Sequence, residues 1–244
     1  MTGSYRTIIV SDVDAPVVRI TLNQPDKRNP ISPVVAGELV HALADISNRE
    51  DLVCVVLTGA GTVFSAGGDL SVMQGGATER PSIPPVSLLE LLMAMHRLGK
   101  PIIAMVNGHA LAGGLGLMVA CDIVVASDAA TFGTTEIRLG LWPMMITAEL
   151  TRNIGRKKAL ELMLTGKRID AEEAERIGLV TRVAKADELE AEAMTLARQI
   201  ASNSPATMSL GLRAFYDAQD MELEPALGYL EAELARVLEL EDAR

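Results

Sequence analysis

The chain has 244 residues, is 49% hydrophobic but only 3% aromatic, and carries a formal net charge of −10. That length and apolar content allow a sizeable core built mainly from Leu, Ile, Val, Ala and Met. The acidic balance argues against a general nucleic-acid binder, which needs a basic footprint, but leaves room for an anionic ligand held by backbone N–H groups and a few basic side chains.

In chain order, Ile8 to Val10 and Val17 to Leu22 read as an opening pair of strands, with the polar turn Ser11-Asp12-Val13-Asp14 between them. Residues 23–33 form a loop with three prolines. Pro33 to Arg49 has helical periodicity, with Val35, Leu39, Leu43 and Ile46 on one face. Val53 to Thr58 is a fully buried strand, and 71–85 is a polar loop that either covers a pocket or is disordered. Val86 to Leu98 is a helix ended by Gly99 and Pro101. Ile102 to Val106 is another buried strand, followed by a buried helix from about residue 113. Asp122 to Ser127 is a strand, and Thr131-Phe132-Gly133 opens a loop. The later third is mostly helical, over 148–165, 171–177, 186–202 and 205–240, with Pro225 breaking the last stretch. Strands alternating with helices predict a parallel sheet. The apolar run 102–126 is long, but Asn107, His109, Asp122 and its glycines argue against a membrane span.

Two glycine-rich turns follow buried strands about 45 residues apart. The first is Phe64-Ser65-Ala66-Gly67-Gly68-Asp69-Leu70; the second runs Ala112-Gly113-Gly114-Leu115-Gly116 into a helix. A helix N-terminus presents N–H groups without intrahelical partners, and glycine admits close approach. Such a site suits a bound anion or a developing oxyanion. Neither turn has the GxxxxGK[ST] or GxGxxG pattern of a phosphate loop.

Four stretches, NQPDKRNPIS (23–32), VVLTGAGTVFSAGGDL (55–70), KPIIAMVNGHALAGGLGLMVACDIVVASDAATFGTTEIRLGLWP (100–143) and LTGKRIDAEEAERIGLVTRV (164–183), fall in order and resemble the crotonase superfamily of enoyl-CoA hydratases and isomerases. The resemblance implies an α/β fold, a crotonase-type spiral of ββα units over residues 1–190. A C-terminal helical region over 191–244 would serve oligomerisation and pocket cover. It implies an acyl-CoA thioester substrate, with coenzyme A entering as part of that substrate and no separate cofactor. It also implies a homotrimer or dimer of trimers.

Residue by residue, the resemblance assigns the two oxyanion-binding amides to Gly68 and Gly113, and a catalytic carboxylate to Glu136. Substrate-binding roles fall to Lys27, Arg28, Ala66, Gly67, Asp69, Leu70, Trp142 and Met144. The departure is Gly116, where the family's hydratases carry a second glutamate. Hydration ordinarily uses two carboxylates around one water, whereas one suffices to carry a proton between carbons. The expected reaction is therefore a β,γ to α,β enoyl-CoA isomerisation, with hydration as the alternative and catalytically weak CoA-thioester binding as the reading from another class. Met144 stands where the family's dienoyl-CoA isomerases place an aspartate, which disfavours that chemistry. Glu90 and Glu149 are the candidates for a second acid.

His41, His96 and His109 are scattered and, with two cysteines, predict no metal site. Ser65 has no evident His/Asp relay, which disfavours a serine nucleophile. Cys54 and Cys121 lie in apolar runs and predict no disulfide framework. Neither a signal peptide nor a membrane span is indicated, so the expected setting is the cytoplasm.

Overall fold

The computed structural model describes residues 5–69 and 81–240. Leu70 and residues 71–80 of the expected polar loop lie outside the described residues. Among the described residues, ten strands form two sheets. The large sheet contains β1 (Ile8–Asp14), β2 (Val17–Leu22), β3 (Cys54–Gly59), β5 (Ile102–Val106), β7 (Ile123–Ser127) and β10 (Arg182–Ala184), in that spatial order. Only β1 runs antiparallel to its neighbour; the other pairs are parallel. The small sheet orders β4 (Val63–Ser65), β6 (His109–Leu111), β8 (Thr131–Gly133) and β9 (Ile169–Asp170). Thus β3/β4, β5/β6 and β7/β8 each give one strand to each sheet, which is the winding of a spiral.

The helices are α1 (Pro33–Ser47), α2 (Leu88–His96), α3 (Gly113–Val119), α4 (Met144–Asn153), α5 (Arg156–Thr165), α6 (Ala171–Arg176), α7 (Leu189–Ala201), α8 (Pro205–Ala218) and α9 (Leu223–Leu238). Strand β3 is buried along its whole length because both its faces are covered. Val55 and Leu57 join the main core with α1 and α2. Cys54 and Val56 turn to the other face, under Leu189, Ala193, Met194, Leu196 and Ala197 of α7. Those spacings place the α7 side chains on one helical stripe. Beyond α7, the helices α8 and α9 bury only Ala214.

Four local expectations are corrected. Residues 11–14 are not a turn: β1 continues to Asp14 with a bulge between Asp12 and Asp14, and the chain reverses at Ala15-Pro16. Thr131 to Gly133 is a strand rather than a loop, paired with β6 and β9. The stretch 148–165 is two helices meeting at Ile154-Gly155, not one. Pro225 does not break the last stretch. It sits in the first turn of α9, where a missing N–H costs nothing, and the break falls at residues 219–222.

Candidate active site

The two glycine turns meet. At Gly67, φ is +106°, and a Cβ there would lie 2.7 Å from the Ala112 Cβ and 3.3 Å from the Gly113 nitrogen. Only a residue without a side chain lets these backbones touch. Gly68 forms a parallel bridge with Ile31: Ile31 N–H donates to Gly67 O at 2.7 Å, and Asp69 N–H donates to Ile31 O at 3.4 Å. Because its neighbours face Ile31, the Gly68 N–H points the opposite way. Gly113 opens α3 behind Ala112, whose φ of 49° and ψ of −129° are strained for a residue with a Cβ. An N–H from Ala112 to Gly133 O, 2.8 Å, holds it there. The Gly68 and Gly113 amides have no acceptor among the described residues. A Cβ on Gly113 would stand 3.5 Å from the Gly68 nitrogen, so the two donors are neighbours.

Glu136 lies in the 3-10 turn Thr135–Leu139 that leaves β8. Its side chain is half-buried, and Oε2 is buried with no hydrogen-bond partner among the described residues. Burial raises its pKa above the ordinary 4.5. Glu136, Gly68 and Gly113 line one cavity of about 310 Å³, with Ala66, Ala112 and Ile146 among its walls. Exposed Leu139, Leu141, Met144 and Met145 rim it. Glu136 is the sole titratable side chain among its described lining residues. Two free amides beside one poised carboxylate in an apolar hollow can stabilise a developing oxyanion and move a proton next to it.

Of the sequence-predicted residues, Gly68, Gly113, Glu136, Ala66, Trp142 and Met144 come together around this cavity. Lys27, Arg28, Gly67 and Asp69 do not line it, and Leu70 is outside the described residues. Lys27 and Arg28 are exposed at the 3-10 turn Pro25–Lys27 and its end. Their loop is stitched to the first glycine turn, since Ala66 N–H donates to Arg28 O at 3.0 Å.

Sequence reasoning missed Asn29, which holds that stitch in place. It is buried with φ at 51°; its Oδ1 accepts from Gln24 N–H, and its Nδ2 donates to Ala60 O and Val63 O. Its type was a signal, since Asn tolerates this left-handed conformation better than most residues. Ile146 was missed as well. A Cβ on Gly116 would lie 1.9 Å from Ile146 Cγ2, so this isoleucine occupies the space a side chain at 116 would enter.

The two candidate second acids are engaged elsewhere. Glu90 closes a capping box with Ser87 at the start of α2, and those bonds hold its pKa below the ordinary value. Glu149 Oε1 meets His96 Nε2 at 2.9 Å. That pair borders two larger hollows, of about 560 and 630 Å³, which contain neither glycine amide. Asp122 anchors a loop by accepting from Ile102 N–H and Tyr216 O–H. His109 Nδ1 bonds Thr131 Oγ1. Burial pushes the Cys54 thiol up to about 12 and Cys121 well above its usual range, which makes both poor nucleophiles. Among the described residues no group of three or more His, Cys, Asp or Glu could hold a metal ion, and no helix is long and apolar enough to cross a membrane.

Residues 12–238 match the family model for enoyl-CoA hydratase/isomerase. The chain belongs to the enoyl-CoA hydratase/isomerase family. The rat enoyl-CoA hydratase domain-containing protein 3 is 37% identical over 209 residues, covering 85% of this chain and 69% of its own. An enoyl-CoA hydratase from Mycobacterium smegmatis superposes with a TM-score of 0.90 at 29% identity, covering 97% of this chain and 92% of its own. A structure described as a monofunctional enoyl-CoA isomerase from M. smegmatis gives 0.78 at 32% identity, covering 91% and 98%. The crotonase fold expected from the sequence is therefore the fold found. Members of the enoyl-CoA hydratase/isomerase family act on acyl-CoA thioesters, and the matched span contains both glycine turns and Glu136.

Proposed function

We propose that this protein is an enoyl-CoA isomerase that moves a β,γ double bond into the α,β position. The carboxylate of Glu136 takes a proton from the α-carbon. The electron pair of that C–H bond moves toward the thioester carbonyl, giving a dienolate whose oxygen accepts from the Gly68 and Gly113 amides. The dienolate collapses, the double bond forms between the α- and β-carbons, and Glu136 returns the proton to the γ-carbon. Coenzyme A enters as part of the substrate, with Lys27 and Arg28 facing its phosphates.

The observation that carries this reading is the single carboxylate among the described residues of the cavity wall, together with Ile146 seated over Gly116. Water addition needs a second group to hold the attacking water, and no second acid lines the described part of the cavity. The names of the relatives favour hydratase, so the deciding assay sets the two reactions side by side. With a β,γ-enoyl-CoA the wild type should turn over rapidly, while crotonyl-CoA should be hydrated slowly. Rapid hydration without isomerisation would establish the hydratase reading instead. Binding without either turnover would leave a CoA-thioester-binding protein.

We also propose assembly as a trimer or a dimer of trimers. Helix α9 buries nothing and exposes Leu223, Leu227, Leu230, Leu234 and Leu238, spaced as one apolar stripe. Light scattering that gives a monomer mass at micromolar concentration would refute this.

A further inference from the structure

Gly113 and Gly116 stand three residues apart in α3, hence on the same side of the helix and about 4.5 Å apart along its axis. The first offers its amide to the cavity. The second is sealed from it: Gly116 does not line the cavity, Ile146 does, and Ile146 Cγ2 occupies the place of a Cβ at 116. Ile146 is 2% exposed and belongs to the main core, so it cannot swing aside without opening a void. Where helix α4 packs on α3, this pair sets a missing side chain against a branched one.

We propose that Gly116 and Ile146 form a size-matched pair that limits substituents on the two carbons next to the thioester, so that the site takes acyl chains unbranched there. The inference rests on the proposed seating of the thioester oxygen between Gly68 and Gly113. A carbonyl held at Gly113 brings the α- and β-carbons into the same cavity that Ile146 lines. A methyl branch at either carbon meets a β-branched side chain whose Cγ2 is backed by Gly116, so that its Cβ cannot retreat toward α3. The rim is different, since Met144 and Met145 are exposed and unbranched, and they can accommodate varied groups further along the chain.

The test uses binding of saturated thioesters, which cannot isomerise, and so does not depend on the reaction assigned. Butyryl-CoA, 2-methylbutyryl-CoA and 3-methylbutyryl-CoA are titrated by calorimetry into wild type, Ile146→Ala, Gly116→Ala and the double variant, each checked for fold by circular dichroism. Wild type should prefer butyryl-CoA by about tenfold or more, the scale on which an apolar pocket rejects one extra carbon. Ile146→Ala should narrow that preference to about threefold or less. Gly116→Ala should push Ile146 into the cavity and weaken butyryl-CoA itself, and adding Ile146→Ala should restore it. A preference unchanged in Ile146→Ala, or a wild type that binds all three equally, overturns the inference even if Gly116→Ala fails to fold. Failure of wild type to bind butyryl-CoA overturns the seating of the thioester and the inference with it.

Discussion

Two partly or wholly buried glutamates, thirteen residues apart, show how surroundings decide what a carboxylate does. Glu149 faces His96 and Tyr216 between α2, α4 and α8, and its Oε1 is bonded to the His96 ring at 2.9 Å. Among the described residues Glu136 leaves one oxygen buried without a partner, in a cavity where the Gly68 and Gly113 amides likewise have no acceptor. The first is a tie between helices. The second has unspent hydrogen-bonding capacity and a raised pKa, which are what a proton carrier needs. Residue type is the same in both; the difference lies in what the neighbouring elements bring to each.

The contrast is broken most severely at Glu136. Glu136→Gln keeps the shape but removes the base, so isomerisation should fall about 10²- to 10⁴-fold with thioester binding retained. Solvent deuterium should enter the α- or γ-carbon only when Glu136 is present, as read by mass spectrometry. Next comes the amide that Glu136 works beside. Gly113→Pro removes the N–H at a position where proline suits a helix start, and a Cβ there meets only ordinary contacts. Turnover should drop roughly 10²- to 10³-fold in a protein whose circular dichroism is unchanged.

At Glu149 the expected loss is stability. Glu149→Ala leaves the half-buried His96 ring without its bond and should cost about 1–2 kcal/mol in denaturant unfolding, with turnover per folded molecule near wild type. A large loss of turnover with intact stability would erase the distinction between the two acids.

The smallest effect concerns pH. Because burial raises the Glu136 pKa in the folded state, ionising it costs stability once pH climbs from 4.5 through that raised value. Glu136→Gln should therefore raise the melting temperature at neutral pH by only on the order of 1 °C, and the gain should vanish below the unfolded-state pKa. For the same reason the acid limb of the wild-type rate profile should lie above 4.5.

Much of this molecule was legible in its sequence because the relevant signals are local. The continuous apolar runs at 54–58 and 102–106 announce strands covered on both faces, and the glycines that follow them announce close backbone approach. The strands of the small sheet were not legible. Val63–Ser65, His109–Leu111 and Thr131–Gly133 are three residues each, too short for alternation to register, and they exist because the spiral stacks them. Glu136 was found through its position in a recognised stretch rather than through its own surroundings, since a glutamate beside Thr134-Thr135 reads equally well as a solvated loop residue. Ile146 was beyond reach for another reason. Its importance comes from a contact between two helices whose sequence positions, 116 and 146, carry no mutual signal.

The bridge between Ile31 and Gly68 has a mechanical corollary. The loop that carries Lys27 and Arg28 is not merely near the first glycine turn; it shares backbone bonds with it at Arg28–Ala66, Ile31–Gly67 and Ile31–Asp69. If Lys27 and Arg28 hold the phosphate end of a long substrate, as proposed, that grip is also a grip on the strip of backbone that presents the Gly68 amide. Energy gained many bonds away from the reacting carbons can thus be spent on holding that amide still. A thioester cut down to a short thiol would forfeit more than its hold on the protein. It should lose speed as well as affinity, a handle-and-blade relation written into three hydrogen bonds.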